Sequence, residues 1–371
     1  MKRVRKILML FAVSMMAVLL LAGCGTKTET APEADAETGA QAEESATDGQ
    51  VYSFKIDYPN AENSAIYPVL VRWADYVREQ SDGRIDATIY SGGALGALPD
   101  CVNNCVGGLT DGFWSGVTIY PGVFPATEAL ALPMLGANSQ EVVTAALNTI
   151  VKEDPVVSKE WESLHVVALH SATASPVLFK LGKEVVSSAD IKNVNLRISN
   201  AYTTKWMEVL GANPVSCGIN DGYEYFEKGI INGGLFFFDQ LQSSALYEPI
   251  DNLLIANTIY PLTMFCLNKE RYEALPDDLK AVIDDSGEWF VEQLPAVYNA
   301  QKTDMLAKCE ENNVKITYAN EAFIAEMTAA AEPAWQLWVD AMNEKGYDGQ
   351  ALLDTARGYI EQSNAIYPPE Q

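Results

Sequence analysis

Apolar and polar positions divide this chain into three stretches of different character. Residues 7–21 form an uncharged apolar run of 15 residues, preceded by Lys2, Arg3, Arg5 and Lys6 and followed by Ala22, Gly23 and Cys24. Residues 25–50 contain no aromatic and no branched aliphatic side chain. From residue 51 onward the chain alternates between a period of two and a period near 3.6, the patterns of half-buried strands and amphipathic helices. Strands are expected at 51–58, 84–90 and 111–115. A helix is expected over 63–80, where Ile66, Val69, Leu70, Trp73 and Val77 share one face and Gly83 closes the region. A short helix falls at 98–106. This β-α-β-α-β order predicts a layered α/β lobe with a largely parallel sheet.

The same grammar returns further on. Strands are expected at 164–170, 177–181, 194–198, 214–217 and 230–235, with helices at 202–210 and 222–228. The C-terminal third is helical: 275–308 (through Leu279, Val282, Ile283, Phe290 and Leu294), then 323–344 and 350–364. Pro295 is expected to kink or split the first of these, because proline removes a backbone donor and crowds the preceding turn. No tandem repeat appears. About 320 folded residues suggest two lobes rather than one core.

A basic head, a short apolar core and small residues before a cleavage point are the parts of a secretory signal. The run is too short to span a bilayer, which takes roughly 20 residues. Cys24 at the cleavage point resembles a bacterial lipobox, in which the cysteine becomes the lipid-bearing N-terminus. The expected address is extracytoplasmic, lipid-anchored to the cell membrane. Residues 25–50 then form an acidic linker that cannot bury enough apolar surface to order itself. The expected organisation is 1–24 signal, 25–50 linker, 51–174 with about 263–300 as one lobe, and 175–262 with about 301–371 as the other together with the C-terminal helices.

Charge removes some function classes. The formal net charge is −25, and more negative without the basic head. Nucleic acid and anionic lipid surfaces both require basic patches. Beyond Cys24 there are Cys101, Cys105, Cys217, Cys266 and Cys309, an odd number, so at least one is unpaired. Cys101 and Cys105 lie one helical turn apart and suit a metal pair, a bridge or simply buried thiols; no pair has zinc spacing. The two histidines, His165 and His170, are five apart on one expected strand and should face opposite sides. With no nucleophile motif, phosphate loop or dinucleotide fingerprint, no catalysis and no cofactor are expected. A two-lobed α/β chain outside a membrane suggests a solute-binding protein, with its site in the cleft where strand ends meet.

Several segments then resemble one family in order and spacing. Ser81-Asp-Gly-Arg-Ile85 followed by Tyr90-Ser-Gly-Gly-Ala-Leu-Gly96, Leu132-Pro133-Met134, Asp190-Ile-Lys-Asn-Val-Asn-Leu-Arg197, Leu210-Gly-Ala-Asn-Pro-Val215, the segment from Tyr223 to Gly233, and Leu275-Pro-Asp-Asp-Leu279 after Asn268-Lys269 are similar to the substrate-binding subunits of tripartite ATP-independent periplasmic (TRAP) transporters of the C4-dicarboxylate-binding type. The likeness runs from about 51 to 370. It implies a periplasmic-binding-protein-like α/β fold of two lobes around a central cleft, braced by a long helix. It further implies an organic-acid ligand and, as partner, an ion-driven membrane permease of small and large subunits.

On the residue level, Arg197 matches the family's ligand-binding arginine. A planar guanidinium offers two parallel, charge-assisted bonds to a carboxylate. On the expected strand, Arg197 and Asn195 lie opposite Val194, Leu196 and Ile198, which suits a cleft arginine or a surface one. The chain departs from the pattern elsewhere. Asn232-Gly233 stands where the family has Asp-Gly, and Phe236 stands where a polar Asn often helps bind the carboxylate. Strand alternation would put Phe236 and Phe238 on one face and Phe237 on the other. A second cleft arginine is missing from 173–180, where Lys180 is a possible substitute. Fewer polar partners and more aromatic surface predict a monocarboxylate with an apolar or aromatic body, since a second buried carboxylate would lack a partner. Trp114, Tyr58, Asn60, Tyr67, Tyr120 and Tyr202 are further candidate walls. Another importer class, a sensor, a dicarboxylate or sugar-acid ligand, and an adhesion module are the alternatives.

Overall fold

A computed structural model describes residues 49–198 and 200–369; the signal, Cys24 and most of the linker lie outside these residues. The strands are β1 (Tyr52–Tyr58), β2 (Ile85–Ser91), β3 (Gly112–Gly116), β4 (Leu164–Ser171), β5 (Val177–Phe179), β6 (Asn195–Ile198), β7 (Asn213–Ser216), β8 (Gly233–Leu235), β9 (Asn252–Ile255), β10 (Leu262–Asn268) and β11 (Lys315–Tyr318). The helices are α1 (Tyr67–Gln80), α2 (Cys101–Val106), α3 (Gln140–Glu153), α4 (Pro155–Glu160), α5 (Ala201–Val209), α6 (Gly222–Glu227), α7 (Phe238–Ser243), α8 (Lys269–Glu273), α9 (Asp277–Glu311), α10 (Glu321–Glu344) and α11 (Gly349–Asn364).

The strands form two sheets, ordered β2-β1-β3-β10-β4 and β11-β9-β5-β8-β6-β7. Each is the centre of one lobe. The first is not wholly parallel: β1 runs with β2 and β3, but β10 is antiparallel to both of its neighbours. The physical reason is connectivity. A helical crossover fixes the parallel direction of β2 and β3, whereas β10 enters this sheet only after the chain has visited the other lobe.

Two extended segments, 172–176 and 256–261, carry the chain between lobes side by side. Ser175 N donates to Ile259 O at 2.8 Å, Ala172 N to Pro261 O at 3.2 Å, and the Thr258 hydroxyl to Ser175 O at 2.9 Å. The third link is α9, which packs against α1 and β4 of the first lobe and α7 and β11 of the second. It runs unbroken over 35 residues with Pro295 inside, so the expected split does not occur. Its apolar residues are buried on both sides of the proline: Ile283, Phe290 and Leu294 before it, Tyr298, Met305 and Cys309 after it. That burial outweighs the roughly 3 kcal/mol cost of an interior proline. Gly287 seats the helix, since a Cβ there would lie 2.0 Å from Val167 O. Of the C-terminal helices, α10 lies on α5 and α11 on α3.

The histidine expectation fails for a local reason. The register of β4 against β10 shifts near Val167, where Cys266 faces Val166 and Phe265 faces Ala168. The bulge inserts one residue and resets the alternation. Both histidines consequently face α9: His165 is 3.4 Å from Asp284, and the His170 ring is 5.9 Å from that of Phe290. The thiols of Cys101, Cys105, Cys266 and Cys309 are buried and free, and Cys217 is half-buried and free.

Candidate ligand-binding site

Tyr58 ends β1, Trp114 lies within β3, Arg197 lies near the end of β6 and Phe236 directly follows β8. Arg197 is the third residue of β6, opposite Gly234 on one side and Val215 on the other. It is only 5% exposed. Its Nη1 donates to Leu235 O at 2.9 Å and its Nε to Cys217 O at 3.4 Å. Its Cζ stands 4.9 Å from the centre of the Phe236 ring. Among the described residues no carboxylate pairs with it. Burial accordingly pulls its pKa downward. A guanidinium has five N–H donors; the two carbonyls leave its Nη2 end available for an anion.

The three phenylalanines are placed differently from the expectation of one continuous strand. The strand β8 ends at Leu235, Phe237 is the cap residue, and Phe238 begins α7. Phe236 is completely buried, packed with Phe226, Leu241 and Leu246, and is therefore not an open wall. Phe238 belongs to the same buried cluster. Phe237, 37% exposed, is the aromatic that this turn leaves uncovered, and strand periodicity did not single it out. Lys180 does not replace an arginine: it pairs with Glu227 at 3.0 Å on the surface. Tyr120 is also a core residue, its hydroxyl donating to Leu98 O at 3.0 Å and hydrogen-bonded to the Ser115 hydroxyl at 2.8 Å.

On the first lobe the expected aromatics do gather. The ring of Tyr58 lies 5.5 Å from that of Trp114 and 6.0 Å from that of Tyr67. The hydroxyls of Tyr58 and Ser64 are hydrogen-bonded. Asn60 and Tyr67 are half-buried. Tyr58 and Trp114 themselves are buried, at 0% and 7% exposed. Tyr202, in the first turn of α5, is half-buried; burial and the nearby Glu128 both raise its phenol pKa.

His170 joins this group without a sequence signal beyond its type. Trp114 Nε1 donates to His170 Nε2 at 3.1 Å, which leaves the proton on Nδ1, 2.7 Å from the Thr263 hydroxyl. That hydroxyl in turn donates to His170 O at 2.9 Å. Every proton in this chain is placed only if the imidazole is neutral, and burial lowers its pKa to about 3. Its role is to hold the Trp114 indole. Between the lobes, Asp239 at the start of α7 accepts from Ala65 N at 3.3 Å and from Gln301 Nε2 at 3.2 Å.

The buried guanidinium thus belongs to the second lobe and the aromatic group to the first. Known proteins of the same shape agree at the level of family. The chain is similar to a TRAP solute-binding protein from a marine metagenome, specific for aromatic acid ligands and crystallised with 3-hydroxybenzoate: 26% identity, TM-score 0.77, covering 85% of this chain and 100% of that one. It is also similar to a TRAP solute-binding protein from Rhodoferax ferrireducens that copurified with benzoate: 24% identity, TM-score 0.75, covering 85% and 99%. A solute-binding protein of Chromohalobacter salexigens is 20% identical over 275 residues, which is 73% of this chain and 79% of that protein. With residues 57–341 matching the bacterial extracellular solute-binding protein family 7, the chain belongs to that family, the solute-binding subunits of TRAP transporters.

Proposed function

We propose that the protein captures a small monocarboxylate with an aromatic or apolar body between its lobes and delivers it to a TRAP-type membrane permease, without catalysis. The observation that carries this reading is Arg197, a buried guanidinium with no carboxylate partner among the described residues. A cation held in that state is costly unless an anion completes it. Lys180 is committed to Glu227 and so does not offer a second carboxylate a partner. The half-buried ring of Tyr67, backed by the buried rings of Tyr58 and Trp114, favours a flat apolar body over a hydroxyl-rich one. The aromatic-acid specificity of the marine relative points the same way.

The anchored form is part of the same proposal. The basic head, apolar run and Cys24 fit a cleaved signal and a lipid-bearing cysteine, and 25–50 fits a tether. We take 51–174 with about 263–300 as one lobe and 175–262 with about 301–371 as the other, with α11 reaching back onto α3 of the first.

A thermal-shift panel tests the ligand class. It contains benzoate, 3-hydroxybenzoate, branched 2-oxo acids, C4-dicarboxylates, D-glucuronate and the neutral benzamide. A ligand at 100 times its dissociation constant adds about 2.7 kcal/mol of stability. Shifts confined to aromatic or apolar monocarboxylates are expected. A shift with dicarboxylates or glucuronate alone overturns the ligand class and leaves the family standing.

A further inference from the structure

We propose that Phe236 is a positioning residue: its buried ring holds the Arg197 guanidinium in a charged, anion-ready orientation and so makes the site selective for an ionised head group. This rests on the carboxylate reading above for its binding arm, but not for its structural arm. The ring is 0% exposed and its centre lies 4.9 Å from Arg197 Cζ. It reaches that place because two neighbours have no side chain. A Cβ on Gly234 would stand 2.4 Å from Phe236 Cε2, and one on Gly222 would stand 2.9 Å from its Cζ. Phe226 lies 6.2 Å from it, centre to centre, within the same buried cluster.

The chemistry explains why a ring serves here. Two carbonyls, Leu235 O and Cys217 O, fix the Nη1 and Nε edges of the guanidinium. They leave its weakly hydrated flat face to be covered. A carboxylate on that face would neutralise the charge and compete with the ligand. An aliphatic side chain would cover it without any electrostatic compensation. The negative face of a phenyl ring stabilises the cation while leaving its charge available. The two Nη2 hydrogens and the second Nη1 hydrogen are then the donors that no backbone carbonyl takes.

Two measurements test this on the full chain, with Phe236→Leu and, in case that variant folds poorly, Phe236→Met. In proton–nitrogen spectra of arginine-labelled protein, the Arg197 Nε–H resonance should be shifted to low frequency by the ring and lose that shift in either variant. Gly234→Ala, which displaces the ring without removing it, should cause the same loss. In titrations with benzoate and benzamide, the variants should bind benzoate about 5- to 30-fold more weakly, the range expected of a partly to fully desolvated cation–ring contact, with benzamide affected less than twofold. A variant that merely loosened the core would weaken both ligands alike, and that result overturns the proposal. An unchanged Arg197 resonance overturns it as well. If the wild-type protein binds no carboxylate, the ligand reading falls, and the arginine spectrum alone decides the role of Phe236.

Discussion

Arg197→Met separates what Arg197 does for the ligand from what it does for the fold. Methionine keeps much of the side-chain length and all of the burial, and removes the charge. In the unliganded protein the substitution gives up two hydrogen bonds from a charged donor, about 1.5–3 kcal/mol each, and the contact with Phe236, about 2 kcal/mol. It recovers the desolvation of a buried ion, several kcal/mol, and gains the burial of an apolar side chain, about 1.5–3 kcal/mol. These terms nearly cancel, so unliganded stability should change by no more than about 2 kcal/mol in either direction. For a chain of this size that is a melting-point change within about 4 °C.

The liganded comparison should differ sharply. Losing a two-point, charge-assisted contact in a closed cleft costs about 2–5 kcal/mol of binding, enough to remove about two-thirds or more of the stabilisation that a ligand at 100 times its dissociation constant gives the wild-type protein. The assay is differential scanning fluorimetry of both proteins with and without 3-hydroxybenzoate, backed by calorimetric titration. A drop of more than about 10 °C without ligand would mean that Arg197 is a keystone of the second lobe rather than a tolerated charge. An undiminished ligand shift in the variant would place the carboxylate elsewhere.

Other perturbations test the scaffold. Gly287→Ala forces a Cβ to within 2.0 Å of Val167 O, where both partners are backbone. Urea unfolding should show a loss of about 3 kcal/mol, and an unchanged midpoint would mean that α9 is not seated on β4. His170 titrates near 3 in the fold against 6.5 when unperturbed, so its neutral form contributes stability that is complete above about pH 6.5 and is lost as pH falls toward 3. His170→Asn should therefore flatten the acid limb of the stability–pH curve relative to wild type; parallel curves would exclude the histidine as its cause. Burial first, then Glu160, raises Glu128 from 4.5 to about 7. Its contribution is complete below about pH 4.5 and falls away as pH rises through 7, so Glu128→Gln should raise the melting point at pH 8 relative to wild type and change little at pH 4. A variant equally stabilised at both values would contradict that assignment.

Where periodicity was clear, the chain announced its elements. Trp73 and Val77 mark α1, and the alternation of 51–58 marks β1. Elements without a period were missed. The whole of β10 is buried, so Leu-Thr-Met-Phe-Cys-Leu-Asn shows neither alternation nor a helical face, which is the expected look of a strand covered on both sides. The helix α3 did carry a signal in Ser139, whose side chain accepts from Val142 N, followed by apolar residues at helical spacing. Pro295 does not split α9 because the cost of an interior proline is local while the burial that offsets it is spread along the whole helix.

The run Phe236-Phe237-Phe238 shows most directly where such reading stops. Three identical apolar residues have no internal contrast, so alternation assigned their faces as if β8 continued. The information lay just outside the run. Gln240 stands three residues after Phe237, and its side-chain oxygen accepts from Phe237 N at 3.1 Å. With Asp239 in the first turn, this is half of a capping arrangement and announces a helix start. Once the strand ends at Leu235, its carbonyl is free to receive Arg197 Nη1, the Phe236 ring turns beneath the guanidinium, and Phe237 is left facing outward. A single glutamine thus helps decide which aromatic supports the charge and which is left exposed. Gln240→Ala should for that reason weaken carboxylate binding although Gln240 lies outside the site, and wild-type affinity in that variant would show that the turn holds its shape without the cap.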